Sequence, residues 1–529
     1  MPLLNRKYHR MIFTGSLVLM AASLPLSEFI LSMAIIICSV NWIAEGQYGE
    51  KWQQLKTRKS LWFVMVIYLV HLAGMLYTRN TDYGLHDLRI KLPLLILPLV
   101  VGTTGPLSGK EVKCVFMSFI LGVIVSSIAG FAAHTGLIPQ TEESASIFIS
   151  HIRLALMIIM AIVLCLSITI SQFGANKWFS GSLYATGMIW LVFFIFILKS
   201  LTGILILLIL TLLISIYFLI KLRNVILKFI LVTFLATVVL LSFSFVTHSI
   251  IRYYRVAEVD LSALETHTKR GNPYIHDLVN QQIENGNYVW LYLCEEELKE
   301  GWEQMSDVPY DGVDGRGQYI RYTLIRYLTS KGLRKDAEGL AQLQQEDVEA
   351  VESGLANCLF LDRYSLYPWM YEVIWQIDQF RKGGNPSGNS VTQRIEYLKT
   401  AINIFRNHVL MGVGTGDVSN AFDEQYTADK SGIDPAWRLR AHNQYITFLL
   451  TFGIIGFLLI AGSFIMIIYL ERKNLDPLAL AFLVIALLSM INEDTLETHA
   501  GVSFIAFFFS VLLWGRKEEG KQRKNGNDA

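Results

Sequence analysis

The stretch RLRAHNQYITFLLTFGIIGF, residues 438–457, sets two arginines and a histidine directly against an apolar run. A run of that length suits a helix crossing a bilayer, which needs about 20 apolar residues for a hydrocarbon core of about 30 Å. Arg438, Arg440 and His442 then lie at the membrane boundary. The same texture repeats outward from this point. Of 529 residues 53% are hydrophobic and only 17% charged, against about 25% charged in an average soluble domain. The charges sit in short segments between apolar runs, so the chain reads as an all-α, polytopic membrane protein of about twelve spans. The runs fall near 11–25, 27–43, 61–77, 92–105, 114–133, 154–172, 180–198, 203–220, 225–247, 443–469, 477–491 and 501–514. The bilayer is thus an expected partner. A net charge of +1 gives no global field that would favour nucleic acid.

The opening NRKYHR followed by MIFTGSLVLMAASLPL has the form of a signal peptide, but further apolar runs follow at once, so it reads as a retained first anchor. Lysine and arginine in NRKYHR, EKWQQLKTRK, KLRN, ERK and RKEEGKQRK fall on one side of the membrane, which predicts that side and both termini to be cytoplasmic. Only DLRIKL, near 87–92, breaks the pattern, and it is expected to lie as an amphipathic piece at the interface. The expected division is a membrane bundle at 1–247, a large outer domain at 248–442, further spans at 443–514 and a cytoplasmic basic tail at 515–529.

The segment 248–442 is too long for a loop and reads as a domain. Its texture is helical: RGQYIRYTLIRYL places Tyr319, Tyr322, Ile325 and Leu328 on one stripe, and YPWMYEVIWQIDQF repeats the aromatic habit. After the flexible GGNPSGNS, Ser390 and Gln393 predict a capping box. On the helix that follows, Val391, Ile395, Leu398, Ile402 and Phe405 share an arc with Arg394 at its edge. Cys38, Cys114 and Cys165 lie in apolar runs, where cysteine acts as a small hydrophobe. Cys294 and Cys358 share the polar segment, and a disulfide between them is one reading if that segment is extracytoplasmic.

The spans carry almost no ionisable residues at mid-depth, which weighs against ion-coupled transport but leaves a flippase with a hydrated cavity open. Ionisable groups gather at the outer rim instead: Arg153, Lys199, Glu493, Asp494, Glu497 and the Arg438/Arg440/His442 group. There is no HExxH, Walker A loop, CxxC or DxD-type pair, so neither a metal nor a cofactor is expected. An extracytoplasmic glycosyl transfer has no nucleotide sugar to draw on and would use a lipid-pyrophosphate donor. Guanidinium groups can hold its leaving charge, because they bind phosphate oxygens bidentately and stay charged.

Each candidate also has a plainer reading. His442 suits a general base at neutral pH, or it caps a helix end. Arg438 and Arg440 suit interfacial anchors, and Arg153 a side chain that snorkels at the head of a span. Glu493, Asp494 and Glu497 orient a base, pair with an arginine, or form a solvated turn. Arg394, placed in a first helical turn, opposes the helix dipole unless an anion binds there, and is otherwise a surface arginine. Gly412, Gly414 and Gly416 permit close backbone approach, though GxGxG alone is a weak signal.

Their order is more specific. A basic helix, then G-V-G-T-G at 412–416, H-N-Q-Y at 442–445 and a span with G-I-I-G resemble the O-antigen ligase and O-antigen polymerase superfamily. The resemblance covers the multispan layout, the single large outer loop and residues 391–457. It implies an all-helical fold in the inner membrane with a periplasmic loop. It also implies transfer of a glycan from undecaprenyl pyrophosphate, with inversion and without metal. By resemblance the essential histidine falls on His442 and the loop arginine on Arg394, while the arginine heading an earlier span falls on Arg153. Arg438, Arg440, Gly412, Gly414, Gly416 and Asn443 are then candidates for substrate contact, with Glu493 and Asp494 in support. The acceptor expected is lipid A–core. A sugar on the same carrier (a polymerase) or a protein serine or threonine (an O-oligosaccharyltransferase) are the alternatives, and a polysaccharide exporter or flippase is the alternative of a different class. Two departures stand out: residues 255–385 match no motif, and Leu201 in KSLTG stands where many relatives place an arginine.

Overall fold

The computed structural model describes residues 5–138, 146–362, 365–473 and 475–516. Residues 517–529 of the basic tail and 139–145 lie outside these. The fold is helical almost throughout; the described strands are one pair of two-residue segments, Ile283–Glu284 and Asn287–Tyr288, joined through Asn285 and Gly286. Both turn residues have positive φ, 48° and 86°, as a tight Asn-Gly hairpin requires. The chain forms two compact units: Met1–Lys221 with Asn385–Ala529, and Leu222–Gly384.

Every apolar run lies on a helix, but by length and composition seven helices among the described residues can cross a membrane, or eight if the bent pair Glu28–Ala44 and Tyr48–Thr57 is one span. Arg6–Ser23 and Thr81–Thr103 are helices with charged first halves, and Pro477–Asn492 and His499–Leu513 have only 16 and 15 residues. At 1.5 Å per residue the last two fall short of a hydrocarbon core of about 30 Å. In the first unit His151–Gly174 is the central helix, with 72% of its apolar window buried, against 22% for Trp178–Ile197. Phe119, Phe482, Phe504 and Phe508 interlock edge to face within the same core.

The span Gln444–Leu470 is broken at Gly453, whose φ of 62° and ψ of −170° are open only to glycine. A break inside a bilayer frees backbone groups that hydrocarbon cannot satisfy. Here the loop 409–414 satisfies them: Val413 and Gly414 donate to the carbonyls of Leu450 and Thr451 at 2.9 Å, and Ile454 donates to Val409 O at 2.8 Å. Just past the loop, the Asp417 carboxylate accepts the amides of Arg79 and of Asn80, the N-cap of Thr81–Thr103, at 2.8 Å.

Three local expectations change. DLRIKL is not a separate amphipathic piece: it is part of the helix Thr81–Thr103, and Asp87 and Lys91 are buried, each with an ion-pair partner. The helix after GGNPSGNS runs Ser390–Asn407 with Asn389 as N-cap and no side-chain cap, so the capping box is absent. Its buried face is Gln393, Tyr397, Thr400, Ala401 and Ile404, while Ile395 and Leu398 are exposed. This helix packs in the first unit, with Gln444–Leu470 and Val418–Ala428.

In the second unit, the long apolar helix Val225–Tyr254 leads into a small body whose core includes Trp302, Leu324, Tyr327 and Leu328. Of the expected aromatic stripe, Ile325 and Leu328 are buried, whereas Tyr319 and Tyr322 remain exposed. Cys294 and Cys358 are both free thiols.

Candidate functional site

In the first unit, the start of Gln444–Leu470, the middle of Ser390–Asn407 and the turn 493–498 between the two short apolar helices meet around Glu493. Arg394 Nη2 donates to Glu493 Oε1 at 2.7 Å, and His442 Nδ1 lies 3.4 Å from Glu493 Oε2. One carboxylate thus holds both residues. Arg394 is the fifth residue of its helix, beyond the first-turn amides, so its setting is the Glu493 pair and not the helix N-terminus.

His442 is held by three contacts. Its backbone takes φ 48°, uncommon for a residue with a side chain, and its N–H donates to Asp494 Oδ2 at 3.0 Å. Its ring stacks on Tyr397 with centroids 5.5 Å apart. Burial pushes the Tyr397 phenol up to about 12, so the ring beneath His442 stays neutral. The Tyr397 hydroxyl donates to Trp437 O at 2.7 Å and fixes the platform. With Nδ1 turned to a carboxylate, the proton-accepting edge of the imidazole is Nε2, which has no partner among the described residues.

Asp494 is buried and accepts from His442 N–H and from Thr447 Oγ1 at 2.7 Å. Burial and the Glu497 charge push its carboxyl above the ordinary value. Glu497 accepts from Arg440 Nη1 at 2.6 Å, Lys91 Nζ at 2.9 Å and Gln444 Nε2 at 3.0 Å. Burial opposes its ionisation, but the charges of Lys91 and Arg440 outweigh that and hold its carboxyl below the ordinary value. Lys91 also pairs with Asp87 at 2.6 Å. This cluster therefore neutralises itself. A cavity of about 10 Å³ lies within it, room for a single water.

Arg153 heads His151–Gly174 and is half-buried, within electrostatic reach of Glu493, Asp494 and Glu28. Among the described residues it makes no hydrogen bond or ion pair, whereas Arg394 and Arg440 are both paired with carboxylates. His151 is in the same electrostatic neighbourhood, next to Arg394 and Glu493. The structure therefore brings His442, Arg394, Arg153, Glu493 and Asp494 together.

Other candidates take different places. Arg438 lies over the Tyr426 ring and reaches Thr427 Oγ1 at 3.4 Å, and Arg440 is committed to Glu497. The glycines pack closely: a Cβ would come within 2.3 Å of the Thr451 backbone C at Gly412, 2.8 Å of the Thr78 side-chain Oγ1 at Gly414 and 2.1 Å of the Asn80 backbone O at Gly416. Asn443 caps the broken span, its Oδ1 accepting Ile446 N–H at 3.0 Å and its Nδ2 donating to Ile491 O at 2.8 Å. Asn443→Ala is accordingly expected to cost about 1–2 kcal/mol of stability. The loss would appear as a lower melting temperature of the purified protein, with donor affinity little changed.

Tyr397 and His151 escaped the sequence reading, as did the pairing of Asp87 with Lys91 and of Lys91 and Gln444 with Glu497. The one available signal was the four-residue spacing of Asp87 and Lys91, which places them on one helix face.

No curated protein matches the chain. Residues 363–461, which carry Arg394, the glycine loop, His442 and the Gly453 break, match the family described as O-Antigen ligase, and that match supports placing the chain in the O-antigen ligase-like superfamily.

Proposed function

We propose that this protein is a glycosyltransferase that moves a glycan from undecaprenyl pyrophosphate to an acceptor hydroxyl at the periplasmic face of the bacterial inner membrane, with both termini cytoplasmic. The observation that carries the reading is His442 clamped by Glu493, Asp494 and Tyr397 with Nε2 free, inside the segment similar to O-antigen ligases. His442 Nε2 takes the acceptor proton as the hydroxyl oxygen bonds to the anomeric carbon. The bond from that carbon to the pyrophosphate oxygen breaks, and undecaprenyl pyrophosphate leaves from the opposite face, which inverts the centre. Glu493 stabilises the imidazolium that forms, as a carboxylate does for a catalytic histidine elsewhere. Arg153 meets the phosphates with an unshared charge, and Arg394 offers the N–H groups that Glu493 does not use.

Lipid A–core is the acceptor we favour, since the arginine positions and the HNQY start of the span fit a ligase; a polymerase or protein O-oligosaccharyltransferase would use the same chemistry. An exporter or flippase is less favoured, because the charges of buried Asp87, Lys91 and Glu497 and half-buried Arg440 are spent on one another. Deleting the gene separates these readings: lipid-linked long polymer with bare core marks a ligase, lipid-linked single repeats a polymerase, and unglycosylated protein a protein transferase.

Arg153→Ala is expected to raise the KM for lipid-linked donor about 10- to 100-fold, the worth of one charge-assisted hydrogen bond. Arg153→Lys should recover part of this. Unchanged donor KM in the alanine variant would remove Arg153 from the phosphate site.

A further inference from the structure

The second unit, Leu222–Gly384, contains a cleft of about 280 Å³ that the reaction above does not use. Its volume lies just below the range of about 300–1,000 Å³ usual for small-molecule sites. Two kinds of wall face it. Tyr253 and Tyr371 form an aromatic corner with centroids 5.0 Å apart, and Trp375 follows Tyr371 by one turn on Leu366–Arg381. Opposite polarity comes from Glu284, Asp378 and Arg326.

The charges are paired within the wall. Arg326 binds Glu284 at 2.6 Å, and Lys382 binds Asp378 at 2.6 Å. Among the described residues, two carboxylates against two cations leave the cleft no net charge, with no spare cation for a phosphate and no spare anion for an amine. It still offers many hydrogen-bonding atoms. Tyr371 accepts the Asn285 amide at 3.3 Å, and burial pushes its phenol up to about 12, so its O–H remains a donor. Gln282 has Oε1 engaged by Trp290 at 3.2 Å and keeps its amide N–H₂.

Aromatic faces beside neutralised acceptors and donors suit a molecule with apolar C–H faces and a rim of hydroxyls. We propose that this cleft binds a neutral saccharide. Its position agrees, because Tyr253 and Tyr254 end the 30-residue apolar helix Val225–Tyr254, long enough to cross a bilayer. The cleft therefore opens where that helix leaves the membrane, within reach of a glycan held at the lipid surface. The proposal rests on the glycan substrate proposed above but not on the reaction at His442.

The test is equilibrium binding to the purified full-length protein in nanodiscs. The probes are fluorophore-labelled neutral oligosaccharides released by mild acid from the producing cell's surface polysaccharide, and a serine/threonine-rich peptide. Saccharide binding is expected, weakened tenfold or more by Trp375→Ala and by Asp378→Asn, and less by Trp375→Phe, which keeps a ring in place. Gln379→Ala, on the same wall, gives a readout should the Asp378 variant fold poorly. Arg394→Ala should bind as the wild type does, whatever its transfer activity. No saccharide binding at millimolar probe, equal binding by the folded cleft variants, or peptide binding in place of saccharide would overturn the proposal.

Discussion

Replacing His442 with alanine is expected to lower glycan transfer by about 100- to 10,000-fold, the usual worth of a positioned general base. The variant should still insert, fold and bind donor. Tyr397 and Asp494 shape the position of His442 through its ring and its backbone, but the ring itself anchors little else. Glu493→Gln should produce a smaller loss, since it removes the charge that stabilises the imidazolium while keeping an oxygen near Nδ1. It also leaves Arg394 without its 2.7 Å ion-pair partner. A readout of kcat and donor KM separates the two effects: the base lowers kcat, and a released Arg394 changes KM. A purified His442→Ala protein with wild-type kcat would end the assignment.

Gly453→Ala is expected to destabilise the fold by about 3 kcal/mol or more, from a forbidden backbone conformation combined with overpacking. A Cβ at Gly453 would stand 2.2 Å from Leu410 C and O, where loop 409–414 supplies the bonds missing from the broken span. Neither side can retreat without exposing backbone groups to hydrocarbon. Gly462→Ala on the same helix is the control, since a Cβ there meets nothing within 4 Å. Yield of monodisperse protein and melting temperature measure both. Equal behaviour of the two variants would mean that the break is not structurally required.

The helices were legible because hydrocarbon thickness fixes the length of an apolar run. Which side of a helix faces the core was not. On Ser390–Asn407 two of the five arc residues, Ile395 and Leu398, are exposed and Val391, Ile402 and Phe405 only half-buried, while the buried side contains Gln393, Tyr397 and Thr400. Apolar periodicity marks a core only where the other side meets water, and near a membrane that condition lapses. The G-I-I-G spacing was visible in the sequence, but only backbone angles show that Gly453 breaks the helix to receive the loop carrying Gly412 and Gly414. At the site, His442, Arg394 and Arg153 could be named from motif order. Glu493 was open in the sequence to orienting a base or pairing with an arginine; that it pairs with Arg394 and also faces His442, 51 residues before it, is visible only in three dimensions. The burial of Lys91 was hidden for a related reason: its partner Glu497 lies 406 positions away.

Chemical rescue of His442→Ala tests the central claim most directly. Removing the imidazole leaves a space beside the Tyr397 ring that a free imidazole can enter and stack in. The measurement is the rate of transfer from a purified lipid-linked glycan by the variant as imidazole is added. A saturable recovery that grows with the neutral fraction of imidazole is the result expected if His442 takes the acceptor proton. Loss of transfer with intact donor binding and no recovery at any imidazole concentration would contradict it, and would leave His442 a positioning residue for the Glu493–Arg394 pair.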